Sequence, residues 1–156
     1  MKEPMYKTAV TLIEMLIVIA VMSFMVSLVL GIAGSIQNQN NVRLTRDTIA
    51  LLDTALQQYR DYRGAFPESA GADVGQRAQF LYEQLHALPE SRKILEKIDD
   101  SLMKNVYGTD SSWPEIYDAW KQNPIDYEYV SGWAFPKLVS AGPDKEFGTG
   151  DDITNR

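Results

Sequence analysis

An α+β fold is predicted for this chain: a long N-terminal helix packed on a small head, with additional helices and a C-terminal antiparallel β-sheet. Three observations predict it. Val10 to Gly34 is a nearly unbroken apolar run. Ile49, Leu52, Leu56 and Tyr59 then recur at three- and four-residue spacing, with Ala55 and Tyr62 beside them, which marks one helical stripe. Ile125, Tyr127 and Tyr129 alternate with polar residues, the period of a half-buried strand.

The apolar run is the longest element. From Met15 to Leu30 only Ser23 and Ser27 are not apolar. About 20 apolar residues suffice to span a bilayer. Glu14 is the only charge between Ala9 and Gly34. A carboxylate at the centre of such a segment costs about 2.5–3.5 kcal/mol, and less near its end. A residue of this kind usually has a partner. Three readings compete: a secretory signal peptide, a plain membrane anchor, or a segment processed ahead of the run and retained in the mature chain. Gly31-Ile32-Ala33 is a poor cleavage site for the first. A plain anchor leaves Glu14 as an acid snorkelling at the bilayer edge.

A polar spacer, Ser35 to Asn41, precedes the stripe, whose polar neighbours Arg43, Arg46, Asp47, Asp53 and Arg60 fall largely off it. One nearly continuous helix from about Val10 to Tyr62 is expected. Gly31 and the asparagines permit a local unwinding between Gly31 and Asn41. Gly64 and Phe66-Pro67 stop the helix. Asp73 caps a second helix, with Gln76 three residues later; Ala78, Leu81, Leu85 and Leu88 form its apolar face and Pro89 breaks it. Ile94, Leu95, Ile98 and Leu102 suggest another short helix. Ser131-Gly132 turns the chain after the first strand. Ala134 to Ser140 reads as a second, which Pro136 assigns to a sheet edge.

Composition narrows the function. The chain has 156 residues, no cysteine and a formal net charge of -6. Disulfides, thiolate metal sites and thiol catalysis are excluded, and the acidity argues against phosphate-driven nucleic-acid binding. His86 is the single histidine, so no histidine pair can hold a metal or relay protons. Neither a Gly-x-Ser-x-Gly elbow nor a phosphate loop occurs. The residues thus give enzyme chemistry thin support, and a membrane-anchored enzyme or binding protein is the distant alternative.

The C-terminal segment Ser140 to Ile153 is dense in acid. Asp144, Glu146, Asp151 and Asp152 fall close together, among Gly142, Gly148 and Gly150. Packed without a cation, these carboxylates would repel. Calcium takes six to eight oxygen ligands in a flexible geometry, and this loop can supply them, although it does not match the EF-hand pattern. A solvated acidic tail is the competing reading.

Lys7-Thr8-Ala9-Val10-Thr11-Leu12-Ile13-Glu14 resembles the cleavage and methylation motif of type IV pilins and type II secretion pseudopilins. Thr11-Leu12-Ile13-Glu14 matches in full; Ala9 stands for the usual Gly and Val10 for the usual Phe. Tyr59 to Pro67 and Asp118 to Tyr129 resemble stretches of the major pseudopilin, with Lys121 where that family has Gly after Trp. Ser140 to Ile153 resembles its calcium loop, with Lys145 in place of a usual Gly. The resemblance implies a pilin-like fold in four parts: a leader at 1–9, a transmembrane and filament-core helix at 10–34, the amphipathic half of the spine helix at 35–62, and a head at 63–156. It implies cleavage between Ala9 and Val10 by a prepilin peptidase, and methylation of the new N-terminus. Glu14 then meets the N-terminal amine of a neighbouring subunit during assembly. It implies a Ca2+ site in which Asp144, Asp151 and Asp152 give side-chain oxygens, Thr149 its hydroxyl, and Ala141 and Glu146 their carbonyls. The implied role is a structural subunit of the periplasmic pseudopilus of a type II secretion system, with a type IV pilin or competence pseudopilin as the alternative. Implied partners are further copies in a helical filament, minor pseudopilins, the inner-membrane secretion platform and membrane lipid, but no nucleic acid. The implied location is the bacterial inner membrane, single-pass, with the N-terminus cytoplasmic and the head periplasmic until assembly into the filament.

Overall fold

The computed structural model describes residues 11–107 and 113–156, with backbone alone at 29–33. The architecture is α+β. Helix α1 runs Leu12–Arg63, α2 Val74–His86 and α3 Pro89–Leu95, followed by a 3-10 turn at Asp100–Leu102. Strands β1 (Met103–Lys104) and β2 (Glu115–Ile116) form a two-stranded antiparallel sheet. β3 (Asp126–Glu128), β4 (Lys137–Ser140) and β5 (Ile153–Thr154) form a three-stranded one, in that order. The chain divides into two units between Gln37 and Asn38, inside α1.

In the first unit, Leu12, Ile13, Leu16, Ile17, Ile19, Met22, Phe24 and Met25 are all more than half exposed. They point around the whole helix circumference, so the segment has no polar side to turn outward. Among the described residues no helix is long and apolar enough to cross a membrane. The expected single-pass placement in a bacterial inner membrane, cytoplasmic N-terminus and periplasmic head, is overturned by this finding.

In the second unit the stripe of α1 becomes core. Ile49, Leu52, Ala55, Leu56 and Tyr59 are buried, and Arg43, Arg46 and Arg60 are exposed, as the spacing requires. Tyr62 departs from the expectation: it is exposed, because the helix ends one residue later and no element covers its last turn. The helix does not unwind between Gly31 and Asn41. It stops at Gly64, whose φ of 81° takes the left-handed conformation and whose N–H donates to the Arg60 carbonyl at 2.7 Å.

Helix α2 begins as its sequence dictates. The Asp73 carboxylate accepts the Gln76 N–H at 2.9 Å, and the Gln76 side-chain oxygen accepts the Ala72 N–H at 2.9 Å. Ala78, Leu81, Leu85 and Leu88 are buried, the three leucines in the same core as α1. Pro89 does more than end α2. It opens α3 at the first helical position, where its missing N–H costs nothing. The Ser91 hydroxyl then donates to the Ala55 carbonyl at 3.0 Å and fastens α3 to α1.

Among the described residues three carboxylates, Glu115, Asp118 and Asp126, are buried in the head. Arg77 of α2 donates through Nε and Nη2 to the two carboxylate oxygens of Asp126 on β3, both at 2.7 Å. Glu115 of β2 is fully buried; its carboxylate accepts Gln79 Nε2 at 2.6 Å and the Val106 and Tyr107 N–H groups at 3.0 Å. Three donors replace the water that this carboxylate loses.

The edge assignment of the second strand is corrected. β4 lies between β3 and β5, with Glu128 facing Lys137 and Ser140 facing Ile153. Pro136 is tolerated because it stands one residue before the first ladder pair. Asn155 follows β5 and ties it down: its side chain donates to Asp53 Oδ1 of α1 at 2.8 Å and to the Pro136 carbonyl at 3.1 Å, and accepts the Leu138 N–H at 3.0 Å.

Lys121 and Lys145 have φ of 60° and 69°, in the left-handed region. They are the two lysines that replace glycines of the resembled pattern, so the turns keep a glycine's conformation without its freedom. A non-glycine residue pays about 1–2 kcal/mol there, and glycine returns about 0.4–1 of that through unfolded-state entropy. Lys121→Gly is therefore expected to stabilise the protein by about 0.5–1 kcal/mol, measured as a rise in the urea midpoint with unchanged slope.

Candidate functional site

Two places carry the chemistry anticipated above: the first turn of α1 and the loop between β4 and β5. Ala9 and Val10, the expected processing pair, lie outside the described residues.

Glu14 sits in the first turn of α1. Its N–H donates to Thr11 Oγ1 at 3.3 Å, and its Oε2 accepts the Thr11 N–H at 3.4 Å. This is a reciprocal capping box, which satisfies two donors that a helix start leaves without partners. Sequence reasoning assigned Glu14 a partner on another chain and missed the one three residues away. The signal was present, since Thr-x-x-Glu ahead of an apolar run is a helix-start signature. The arrangement also bends the carboxylate back toward the helix N-terminus, where a negative charge is favoured.

The acidic loop hangs between β4 and β5 and is closed at its base by the Ser140–Ile153 pair. Ser140 is fully buried; its hydroxyl donates to Asp118 Oδ2 at 2.9 Å and accepts the Gly142 N–H at 3.2 Å. Gly142 has φ of 66°, and a Cβ there would collide with the Asp151 carbonyl. Only glycine lets the two ends of the loop cross so closely. Gly142→Ala is accordingly expected to cost more than about 2 kcal/mol, strain and clash together, seen as a fall in the thermal midpoint.

Within the loop the Thr149 hydroxyl is the meeting point. It lies 3.2 Å from the Glu146 carbonyl and 2.6 Å from Asp151 Oδ1, and its single proton serves one of them at a time. Asp151 Oδ2 accepts the Asp144 N–H at 3.0 Å, Asp144 Oδ1 accepts the Glu146 N–H at 2.9 Å, and Asp152 Oδ2 accepts the Gly148 N–H at 2.8 Å. The Thr149 hydroxyl, followed by the Asp144 amide, holds the Asp151 carboxyl below the usual carboxylate range. Asp152 Oδ1 is buried and has no hydrogen-bond partner.

The structure thus gathers Glu146 O, Thr149 Oγ1 and Asp151 Oδ1, and joins Asp144 to Asp151 through a backbone amide. It does not bring Asp144, Asp151 and Asp152 into one shell: among the described residues no three acidic, histidine or cysteine side chains converge as metal ligands. Each carboxylate is instead turned onto a backbone N–H. Ala141 is buried at the start of the loop. The donor set is oxygen throughout and suits a hard cation over metals that prefer nitrogen or sulfur.

Sequence reasoning also missed the support beneath the loop. Asp118 is buried; its Oδ1 accepts the Trp120 and Lys121 N–H groups at 3.2 and 3.1 Å, while Oδ2 takes Ser140. Burial pushes the Asp118 carboxyl up, and the Ser140 hydroxyl and the two amides draw it partly back. Asn123 Nδ2 donates to the Lys145 carbonyl at 2.7 Å. Both segments were singled out from the sequence, but nothing in their spacing says that they touch.

Family models, curated proteins and solved structures all give no match to this chain.

Proposed function

We propose that this chain is a structural, filament-forming subunit of the pseudopilin type, serving the pseudopilus of a type II protein secretion system, and not an enzyme. One observation carries the reading. The first unit presents apolar side chains around the whole of α1 from Leu12 to Leu28, with Glu14 the sole carboxylate at its start. Such a surface must be covered, and copies of the same helix cover it with matching chemistry. At about 25 cal/mol per Å2, burying several of these side chains offsets the entropy of association. Glu14 supplies the register, since one carboxylate among apolar neighbours accepts one cation. The amine freed by cleavage between Ala9 and Val10 is that cation.

Co-expression with a prepilin peptidase and a secretion assembly machinery tests the reading. The expected product is a chain whose mass begins at Val10 and which forms filaments. An uncleaved chain that stays unassembled would refute it.

The acidic loop is the second part of the proposal. Calcium, when bound, would supply positive charge to Asp144, Asp151 and Asp152, whose carboxylates each face a backbone N–H and would turn inward to share the ion, while the Ser140–Ile153 pair closes the base. At a hundredfold excess over its dissociation constant a ligand adds about 2.7 kcal/mol of stability. That corresponds to roughly 5–10 °C in the melting midpoint of a domain of this size. Chelation is expected to remove that gain from the full chain, whereas superimposable melts with calcium and with chelator would eliminate the metal site and leave the filament role standing.

A further inference from the structure

We propose that the turn Asp118–Asn123 is a strut through which the order of the acidic loop sets the order of helix α1 at residues 38–45. Neither calcium nor a filament is required for this coupling.

The strut grips a polar stretch of the helix. Asn38, Asn40 and Asn41 are poor helix formers, and Gln37 to Asn41 has no apolar face of its own. Two hydrogen bonds from the turn hold this stretch. Trp120 Nε1–H donates to Asn38 Oδ1 at 3.2 Å, and the Ala119 N–H donates to Oγ1 of the fully buried Thr45 at 3.1 Å. The opposite side of the same turn holds the loop: Asp118 accepts from Ser140, and Asn123 donates to the Lys145 carbonyl.

One side chain joins the two sides. A single Asp118 carboxylate folds the turn through the Trp120 and Lys121 amides and clasps the loop through Ser140. Lys121 is held in a left-handed conformation inside that turn, so the turn relaxes once its bonds loosen. Local openings occur in contiguous units. A loop that opens withdraws Ser140 and Lys145 from the turn, and the turn then withdraws Trp120 and Ala119 from α1. Coupling of this kind is reciprocal: whatever orders residues 38–45 also orders the loop.

Amide hydrogen exchange on the full chain, read by mass spectrometry, tests it in four proteins. Thr149→Ala removes the hydroxyl at the centre of the loop and touches nothing in the turn or α1. It is expected to speed exchange in residues 142–152, and also in 38–45 by roughly fivefold or more, the lower end of ordinary coupling. Trp120→Phe keeps an aromatic ring and deletes the indole donor. In that background Thr149→Ala is expected to speed exchange at 38–45 by clearly less than in the unaltered chain, because only the Ala119–Thr45 bond remains. Asn123→Ala, which cuts the link to Lys145 from a half-buried position and leaves the Asp118–Ser140 bond, provides a second background of weakened coupling should the Trp120 variant fail to fold. Exchange at 38–45 that ignores Thr149→Ala in the otherwise unaltered chain overturns the proposal. So does an equal response with and without the strut.

Discussion

Glu14→Gln is expected to leave the first turn of α1 folded and to abolish self-assembly. Glutamine can keep the capping box, because its side-chain oxygen still accepts the Thr11 N–H. What it loses is charge. A carboxylate 4 Å from an ammonium gains about 4 kcal/mol at an effective dielectric of 20, which is close to a thousandfold in association. The capping contribution is smaller, about 0.5–2 kcal/mol. Glu14→Ala removes both and is expected to fail in assembly with extra fraying of the helix start. Circular dichroism and electron microscopy on the two variants separate the roles. Filaments from the Gln variant, with none from the Ala variant, would make helix capping the whole function of Glu14 and remove the intersubunit charge pair.

Arg77→Met is the most damaging single substitution expected in the head. Arg77 and Asp126 share two parallel hydrogen bonds, and the Asp126 side chain is 8% exposed. Removing the guanidinium leaves a carboxylate buried without a partner, a loss of about 3–5 kcal/mol. Arg77 itself is 20% exposed, so water can reach part of the vacated space and the lower end of the range is expected. With a urea slope near 2 kcal/mol per molar, the midpoint drops by roughly 1.5–2 M. The double variant Arg77→Met with Asp126→Leu is expected to recover most of that loss, because apolar pairs often replace buried ion pairs without penalty. Equal losses in the single and double variants would show that packing around α2 and β3, and not the unpaired charge, sets the cost.

The elements that could be read from the chain are those written in local patterns. The stripe from Ile49 to Tyr59, the Gly64 stop, the Asp73–Gln76 cap and the alternation at Ile125 and Tyr127 each need only a few neighbouring residues, and each is found in the structure. What escaped depends on distant partners. Strands β1, β2 and β5 are two residues long, too short for any period to show. β4 is central because β5 returns to it from beyond the loop, and Pro136 carries no trace of that return. Arg77, Asp126 and Glu115 read as ordinary surface charges until the fold brings their partners across 36 to 49 residues. In the candidate site the sequence singles out the loop's oxygens as a set, but it does not carry their geometry. Isolated from a cation, each carboxylate serves the nearest backbone amide. The Asp118 support stayed hidden because its link to Ser140 crosses 22 residues of sequence.

The closure at Ser140–Ile153 has a kinetic side. The acidic loop is held shut at its far end by a two-residue strand and the hydrogen bonds of Asn155. Short terminal elements of this kind open far more often than a domain unfolds as a whole. The residence time of anything seated among the loop oxygens is then governed by how often β5 peels from β4, and not by the strength of the oxygen contacts alone. The last strand works as a clasp with its own opening rate, and Asn155 is the catch that slows it.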